Sequence, residues 1–280
     1  IMLQNLKDAK PGPTEVTLTK GLPGILANLI AHVGSKTWPH LKKIDLSHGN
    51  LIEESIKRIG KNTTWVNLEE LNLSTASLDS KSAIAIGKNE TWRKLKVLNL
   101  SGNKIGIDGA CAIAKNEAWT DLETLDLEGN QITSIGVKRL SKNATWTKLQ
   151  MLNLKRNSIG ADELVAICQN NAWFGLETLN LSDNTFGAQG AAALSERARW
   201  ERLHTLHLAA TNLGDEGAVM LSKNTSGSNL QTLDLGDNGI NAKGAASLSE
   251  VTSWDKLEAL ELQSNKLGDK GVEVLSTNTA

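Results

Sequence analysis

Tyrosine is absent from this 280-residue chain, and phenylalanine, cysteine and proline occur only two, two and four times. Two cysteines cannot supply the dense disulfide framework on which small secreted domains rely. No apolar run reaches the roughly 18 residues that mark a membrane span. No basic-then-apolar start marks a signal peptide either. Charge of one sign is also lacking overall: 30 Lys and Arg stand against 31 Asp and Glu, a net charge of −1. Neither a nucleic acid nor a membrane surface is therefore expected as partner. The balance is uneven along the chain, with 16 Lys and Arg against 11 Asp and Glu in residues 1–118, and 14 against 20 in residues 119–280. At 40% hydrophobic and 22% charged, the chain has the composition of a large folded protein rather than a disordered one.

The aromatic content that is present is almost all tryptophan. The eight residues Trp38, Trp65, Trp92, Trp119, Trp146, Trp173, Trp200 and Trp254 fall on a period of 27, and the one skipped slot is Gly227. Nine units of 27 residues start at this slot, without insertion. Three places after it stands Leu in every unit, from Leu41 to Leu257. Six places after it stand Ile44 and then Leu, and eight places after it Leu again, from Leu46 to Leu262. Asn then follows at 103, 130, 157, 184, 238 and 265. A fixed period of this length outranks every other sequence signal.

Each half of the unit has its own physical reading. The segment L-x-x-L-x-L is too short for a helix, and its last apolar pair alternates as in a half-buried strand. The following Asn can bond backbone groups of its own turn and of a neighbouring unit. A helix comes next, as at Asp215–Asn224. Asp215 and Glu216 suit its positive end, Ala218 and Leu221 its buried face, and Lys223 its negative end. Asn224, and with it Asn62, Asn89, Asn116, Asn143, Asn170 and Asn278, is expected to be a left-handed C-cap. Gly at 109, 136, 190, 217, 244 and 271 is expected to let helix approach strand. Cys111 and Cys168 lie two repeats apart, so about 10 Å in such a stack, beyond the ~7 Å that a disulfide spans. Both are expected as thiols, in a reducing compartment.

The pattern resembles the leucine-rich repeat family, in its longer, ribonuclease-inhibitor-like subtype. The residues that carry the resemblance are LETLDLEGNQI (122–132), repeated in form nine times, and FGAQGAAAL (186–194), similar to bacterial relatives with Trp-containing repeats. The resemblance implies an α/β horseshoe, with a parallel sheet on the concave face and helices on the convex face. It spans residues 38–280. Residues 1–37 are expected to form an N-terminal cap, with a strand at Val16 and Leu18 and a helix over 24–34, because a repeat stack needs protected ends. The chain starts at Ile1 and stops where a repeat ends, which leaves room for a longer protein around it.

The chemistry-bearing residue types form no catalytic or metal constellation. His204 and His207 are three apart on one expected strand, which directs them to opposite faces. No Ser occupies a nucleophile elbow, and GNKIGIDGA (102–110) is a repeat's turn and helix start rather than a phosphate loop. No cofactor, metal or catalytic residue is expected. The seven Asn-x-Ser/Thr sequons, at Asn62, Asn72, Asn89, Asn99, Asn143, Asn180 and Asn224, all sit at repeat slots. The tryptophans could be stacking platforms for bases or sugars, but NATW and NETW offer few interleaved cations. A buried structural column, each ring stacked on the next, is the stronger reading.

What remains is the open face of the sheet, whose side chains between the leucines are expected to be unconstrained by folding. Three zones stand out there. Lys42 and Lys43 make a basic start. Met151, Asn153, Lys155, Arg156, Asp183, His204 and His207 make a mixed middle. Asp234, Asp237, Glu258 and Glu261 make an acidic end. This face is the expected binding site for a protein partner. The resulting expectation is a monomeric, non-enzymatic interaction scaffold, cytoplasmic or secreted into a host cytoplasm as a bacterial effector. The same repeat subtype occurs in activators of a Ran-type GTPase. This chain lacks their acidic tail, and their working Arg cannot be placed in it. A recognition fragment of a larger receptor or ligase is the other alternative.

Overall fold

The computed structural model describes residues 13–17, 38–197, 200–223 and 229–276. The chain forms two compact units, 1–149 and 150–280. In the N-terminal unit five strands lie side by side in chain order: β1 (Glu15–Thr17), β2 (Lys43–Asp45), β3 (Glu70–Asn72), β4 (Val97–Asn99) and β5 (Thr124–Asp126). Helices α1 (Glu53–Gly60), α2 (Ser80–Gly87), α3 (Gly106–Ala114) and α4 (Thr133–Leu140) follow β2 to β5 in turn. The C-terminal unit repeats the plan, with strands β6 (Met151–Asn153), β7 (Thr178–Asn180), β8 (Thr205–His207), β9 (Thr232–Asp234) and β10 (Ala259–Glu261). Its helices are α5 (Ala161–Cys168), α6 (Gly187–Arg197), α7 (Gly214–Ser222), α8 (Ala242–Ser249) and α9 (Gly268–Ser276).

The strands pair in parallel and in strict register. Ile44 stands beside Leu71, Leu71 beside Leu98 and Leu98 beside Leu125. In the second unit Leu152, Leu179, Leu206, Leu233 and Leu260 do the same. A period of 27 without insertion makes this unavoidable, because each slot meets its own kind in the next repeat. In the interior strands the central leucine is buried and its two neighbours are half-exposed. The buried leucines meet the apolar stripe of the helices, and each side chain so buried contributes about 1.5–3 kcal/mol. In α7, Asp215 and Glu216 occupy the first turn while Ala218 and Leu221 are buried, as the spacing predicts.

The N-terminal segment contributes β1, whose Val16 is 8% exposed and stands beside Ile44. The expected helix over 24–34 lies outside the described residues, as do Leu18, Asn224, Gly227 and Asn278. Cys111 and Cys168 are thiols on α3 and α5.

The tryptophan column is core. Trp65, Trp92, Trp119, Trp146 and Trp173 are all 0% exposed. Uniform ring-on-ring stacking does not hold, however. Trp65 and Trp92 stack, with centroids 6.5 Å apart and planes 18° apart. Trp119 instead turns its Nε1–H to the Asn89 carbonyl of the preceding repeat at 3.1 Å. The indole N–H of Trp38, Trp92, Trp146, Trp173 and Trp254 has no acceptor among the described residues. These rings are held by packing.

Two asparagine columns do the polar work between repeats. In the turn column, Asn103 Oδ1 accepts the N–H of Ala76 (3.1 Å) and Leu78 (2.9 Å) one repeat back, while its Nδ2–H donates to the carbonyls of Leu73 and Leu100. Asn184 and Asn238 repeat the arrangement. The second column corrects the expected C-caps. Among the described residues none of Asn62, Asn89, Asn116, Asn143 and Asn170 takes a positive φ. Buried and reaching backward, Asn116 donates to the Gly87 carbonyl at 2.9 Å and to the Asn89 carbonyl at 2.8 Å. The sequons at Asn62, Asn89 and Asn143 follow from this, since each Thr two places on donates its hydroxyl to the Asn Oδ1. The helix glycines differ from expectation as well. A Cβ at Gly109 would meet Ile105 at 2.5 Å and Ala83 of the preceding helix at 2.6 Å, so the close approach is to the loop and the neighbouring helix, not the strand.

Candidate functional site

In each unit, the face of the strands opposite the helices carries two rows of side chains, one on each side of the buried leucine. The first row is Lys43, Glu70, Val97 and Thr124 in the N-terminal unit, and Met151, Thr178, Thr205, Thr232 and Ala259 in the C-terminal unit. Three threonines thus stand in register on adjacent strands, an array that the site reading from sequence passed over although its 27-residue spacing was visible.

The second row is more constrained than expected. Asp45 Oδ1 accepts the Ser47 N–H at 2.9 Å, Asn72 that of Ser74 at 3.0 Å and Asn99 that of Ser101 at 2.9 Å. Asn153, Asn180 and Asp234 do the same for Lys155, Ser182 and Gly236, at 3.1, 3.0 and 2.9 Å. The slot is an Asx turn that closes the strand, and the turn explains its Asn and Asp residues. His207 in β8 and Glu261 in β10 give the cap up.

Electrostatics divide the expected zones again. The basic start is neutralised within the face. Lys42 Nζ lies 2.8 Å from Glu69, and Lys43 Nζ lies 2.9 Å from Glu70 and 4.0 Å from Glu15. Hydrogen bonding to Glu70 and its charge hold the Lys43 ammonium above its ordinary range. The Lys42 hydrogen bond holds the Glu69 carboxyl below its own. In the middle zone, Lys155 Nζ and Arg156 Nε share Asp183 Oδ2 at 3.4 and 3.2 Å. Arg156, Asp183 and Asp237 occupy left-handed turn positions, with φ of 56°, 55° and 51°. The same slot is Gly102 and Gly129 in the N-terminal unit.

The two histidines do not converge. His204 precedes β8 and faces back to Glu177 at 3.7 Å, whereas His207 faces forward to Asp234 at 3.7 Å. Among the described residues no group of three or more His, Cys, Asp or Glu side chains could hold a metal ion. No described helix is long and apolar enough to cross a membrane. His204 lines an open groove of about 300 Å3 with Glu177, Glu201, Arg202, Asn229, Gln231 and Lys256. Asp237, Glu258 and Glu261 are exposed and have no cation partner among the described residues.

Comparison with known proteins places this architecture. Six segments, 93–114, 120–141, 176–195, 203–222, 228–249 and 256–276, match the family model described as Leucine Rich repeat. No curated protein matches the chain. The crystal structure of an internalin from Listeria monocytogenes is similar in fold, with a TM-score of 0.56 at 18% identity, covering 89% of this chain and 68% of that one. Parallel three-residue strands, a leucine core and an asparagine ladder on a 27-residue period make this chain an α/β leucine-rich repeat solenoid.

Proposed function

We propose that the chain is a non-enzymatic scaffold of the ribonuclease-inhibitor-like subtype, and that it binds a partner protein on the sheet face of its C-terminal unit. The observation that carries this reading is His207. In that slot Asn or Asp caps the turn in the repeats on either side, and at His207 the stabilising residue is replaced by one whose side chain faces outward beside Asp234. A position that gives up local stability on an exposed face is best explained by contact with something else. Thr178, Thr205 and Thr232, with the groove around His204, extend the same surface. The polar sheet face of a repeat stack is also the broad surface such folds present to partners. A role inside a host cell as a bacterial effector is the biological setting this reading favours.

Affinity capture with the whole chain tests the proposal. The wild type is compared with His207→Asn, with Glu258→Lys/Glu261→Lys, with Lys155→Glu/Arg156→Glu, and with the helix-side control Lys243→Glu. The proposal expects a partner whose recovery falls at least tenfold with the face variants and stays unchanged with the control. Equal recovery with every face variant overturns it.

A further inference from the structure

One edge of the N-terminal unit carries a row of free cations. Lys61, Lys88 and Lys115 directly follow α1, α2 and α3, and Lys142 follows Ser141, the cap of α4. All four occupy one slot of the repeat and all four are exposed. None has an ion-pair or hydrogen-bond partner for its ammonium among the described residues. The helix ends stand close together. A Cβ at Gly60 would meet the Ala85 backbone at 2.5 Å, and one at Gly87 would meet the Ala112 backbone at 2.6 Å. Arg139 joins the row at a groove of about 240 Å3, which Lys115, Glu117, Arg139, Lys142 and Thr145 line at the ends of α3 and α4.

The fold does not require lysine at this slot. A cation after a helix ordinarily serves the last carbonyls and the negative end of the macrodipole. Here asparagine takes those carbonyls. Asn89 Nδ2–H donates to the Gly60 and Asn62 carbonyls, one on each side of Lys61. Asn116 does the same on the two sides of Lys88, and Asn143 on the two sides of Lys115. In the C-terminal unit the slot reads Gln169, Glu196, Lys223 and Glu250 after the same kind of helix. Like charges held side by side repel, a cost that the C-terminal unit avoids. What the asparagines supply is placement. Each of these lysines is pinned at both flanking carbonyls, which reduces the ordering that a ligand must impose.

We propose that this row binds an extended acidic segment of a partner protein, laid across the ends of α1 to α4. Charge complementarity names the occupant, and spacing fits it. Neighbouring strands lie about 4.8 Å apart and packed helices about 8–10 Å. Lysines between the two layers therefore stand at spacings that bracket the roughly 6.6 Å between same-face side chains of an extended chain. Acidic side chains on one face of the segment meet successive lysines, and the groove seats one of them between Lys115, Arg139 and Lys142. Glu90 and Glu117 select against a uniform polyanion. Both are exposed beside the row and have no cation partner among the described residues. They repel a sulfated glycan or an anionic membrane, whereas a peptide offers them its backbone N–H groups. The nearest aromatics, Trp65, Trp92, Trp119 and Trp146, are buried and give a nucleic-acid base no face to stack on. The surface lies at the helix ends, so the inference does not rest on the sheet-face reading.

Fluorescence anisotropy of the full chain with a labelled oligoglutamate tests it, at a length of about ten residues that can follow the row when extended. The expected result is saturable binding at low salt that weakens as salt rises. Lys88→Glu/Lys115→Glu should weaken it at least tenfold and Lys88→Gln/Lys115→Gln at least threefold. Lys243→Glu on α8 should leave it unchanged. Thermal melts of the variants show that each one folds. Heparin and phosphatidylserine vesicles serve as parallel probes. A wild-type chain that does not bind the oligoglutamate overturns the proposal, whether or not it binds either of those. So does oligoglutamate binding indifferent to the lysine variants, because that binding uses another surface.

Discussion

Asn89 reaches back across one repeat to close α1 from outside: its Nδ2–H donates to the Gly60 carbonyl at 2.9 Å and to the Asn62 carbonyl at 2.8 Å. Its Oδ1 at the same time accepts the Thr91 N–H at 2.9 Å. The side chain is 4% exposed, so water cannot readily replace it. Asn89→Ala should therefore cost about 3 kcal/mol, since each buried polar group left unpaired costs about 1–3 kcal/mol. Asn89→Asp should be at least as damaging at neutral pH, because a carboxylate would face two carbonyl oxygens. It should recover in part near pH 4, where the protonated acid can donate. Urea unfolding at both pH values checks this, and an alanine variant within 1 kcal/mol of wild type would contradict the assignment.

The unpartnered indoles predict a difference between tryptophans. Trp146 is 0% exposed and its Nε1–H has no acceptor among the described residues. Trp146→Ala should cost about 3–5 kcal/mol, the usual range for a large buried aromatic. Trp146→Phe should cost much less than that, because no hydrogen bond is lost. Trp119→Phe loses the bond to the Asn89 carbonyl as well as volume, so it should be the more destabilising of the two phenylalanine variants by about 1 kcal/mol. Equal losses for the two would show that the Trp119 bond contributes nothing.

Asp79 sets a pH dependence at the start of α2. Its Oδ1 accepts the Ser82 N–H at 2.8 Å, and the side-chain and backbone hydrogen bonds of Ser82 hold the carboxyl below its ordinary range. A carboxyl lowered in the folded state stabilises the fold above its unfolded pKa and loses that contribution as pH falls through the folded value. Asp79→Ala should cost about 1 kcal/mol at pH 7, the typical worth of an N-cap. The gap between wild type and variant should shrink as the pH drops below about 4, near the unfolded aspartate value. A gap that stays constant from pH 7 to pH 2.5 in matched melts would rule out the cap as its source.

The leucine and tryptophan slots were legible in the sequence for a simple reason. When a stack repeats without insertion, burial at one slot implies burial at the next, so Leu41 and Leu149 announce the same environment. The asparagine columns were only half legible. Asn89 and a left-handed C-cap asparagine look alike in sequence, because the carbonyl that Asn89 serves lies 29 residues away at Gly60. The turn caps were closer to view. Asn72 and Asn99 each stand two residues before a serine whose N–H they accept, and an Asx turn is a local signal. Taking that slot as free of folding constraint concealed the contrast that makes His207 informative. The neutralised basic zone was also within reach, since Lys43 and Glu70 occupy one slot in adjacent repeats and were bound to meet.

That contrast yields the sharpest prediction about the sheet face. Asn180 and Asp234, in the strands on either side of β8, each spend a side-chain oxygen on the N–H two residues ahead. His207 does not, and no acceptor for the Ala209 N–H is present among the described residues. Asn180→Ala should thus cost about 1 kcal/mol, whereas His207→Ala should be close to neutral, since a turn cap is lost only in the first. His207→Asn should go further and raise Tm by restoring the cap, a gain of about 0.5–1 kcal/mol. The same substitution should weaken capture of the partner, which is the trade expected where a surface position has been given to binding rather than to stability. Melting curves and capture on the same three variants decide the matter. A His207→Asn variant less stable than wild type would mean that the histidine, through Asp234 at 3.7 Å, already serves the fold, and the case for the C-terminal sheet face would lose its main support.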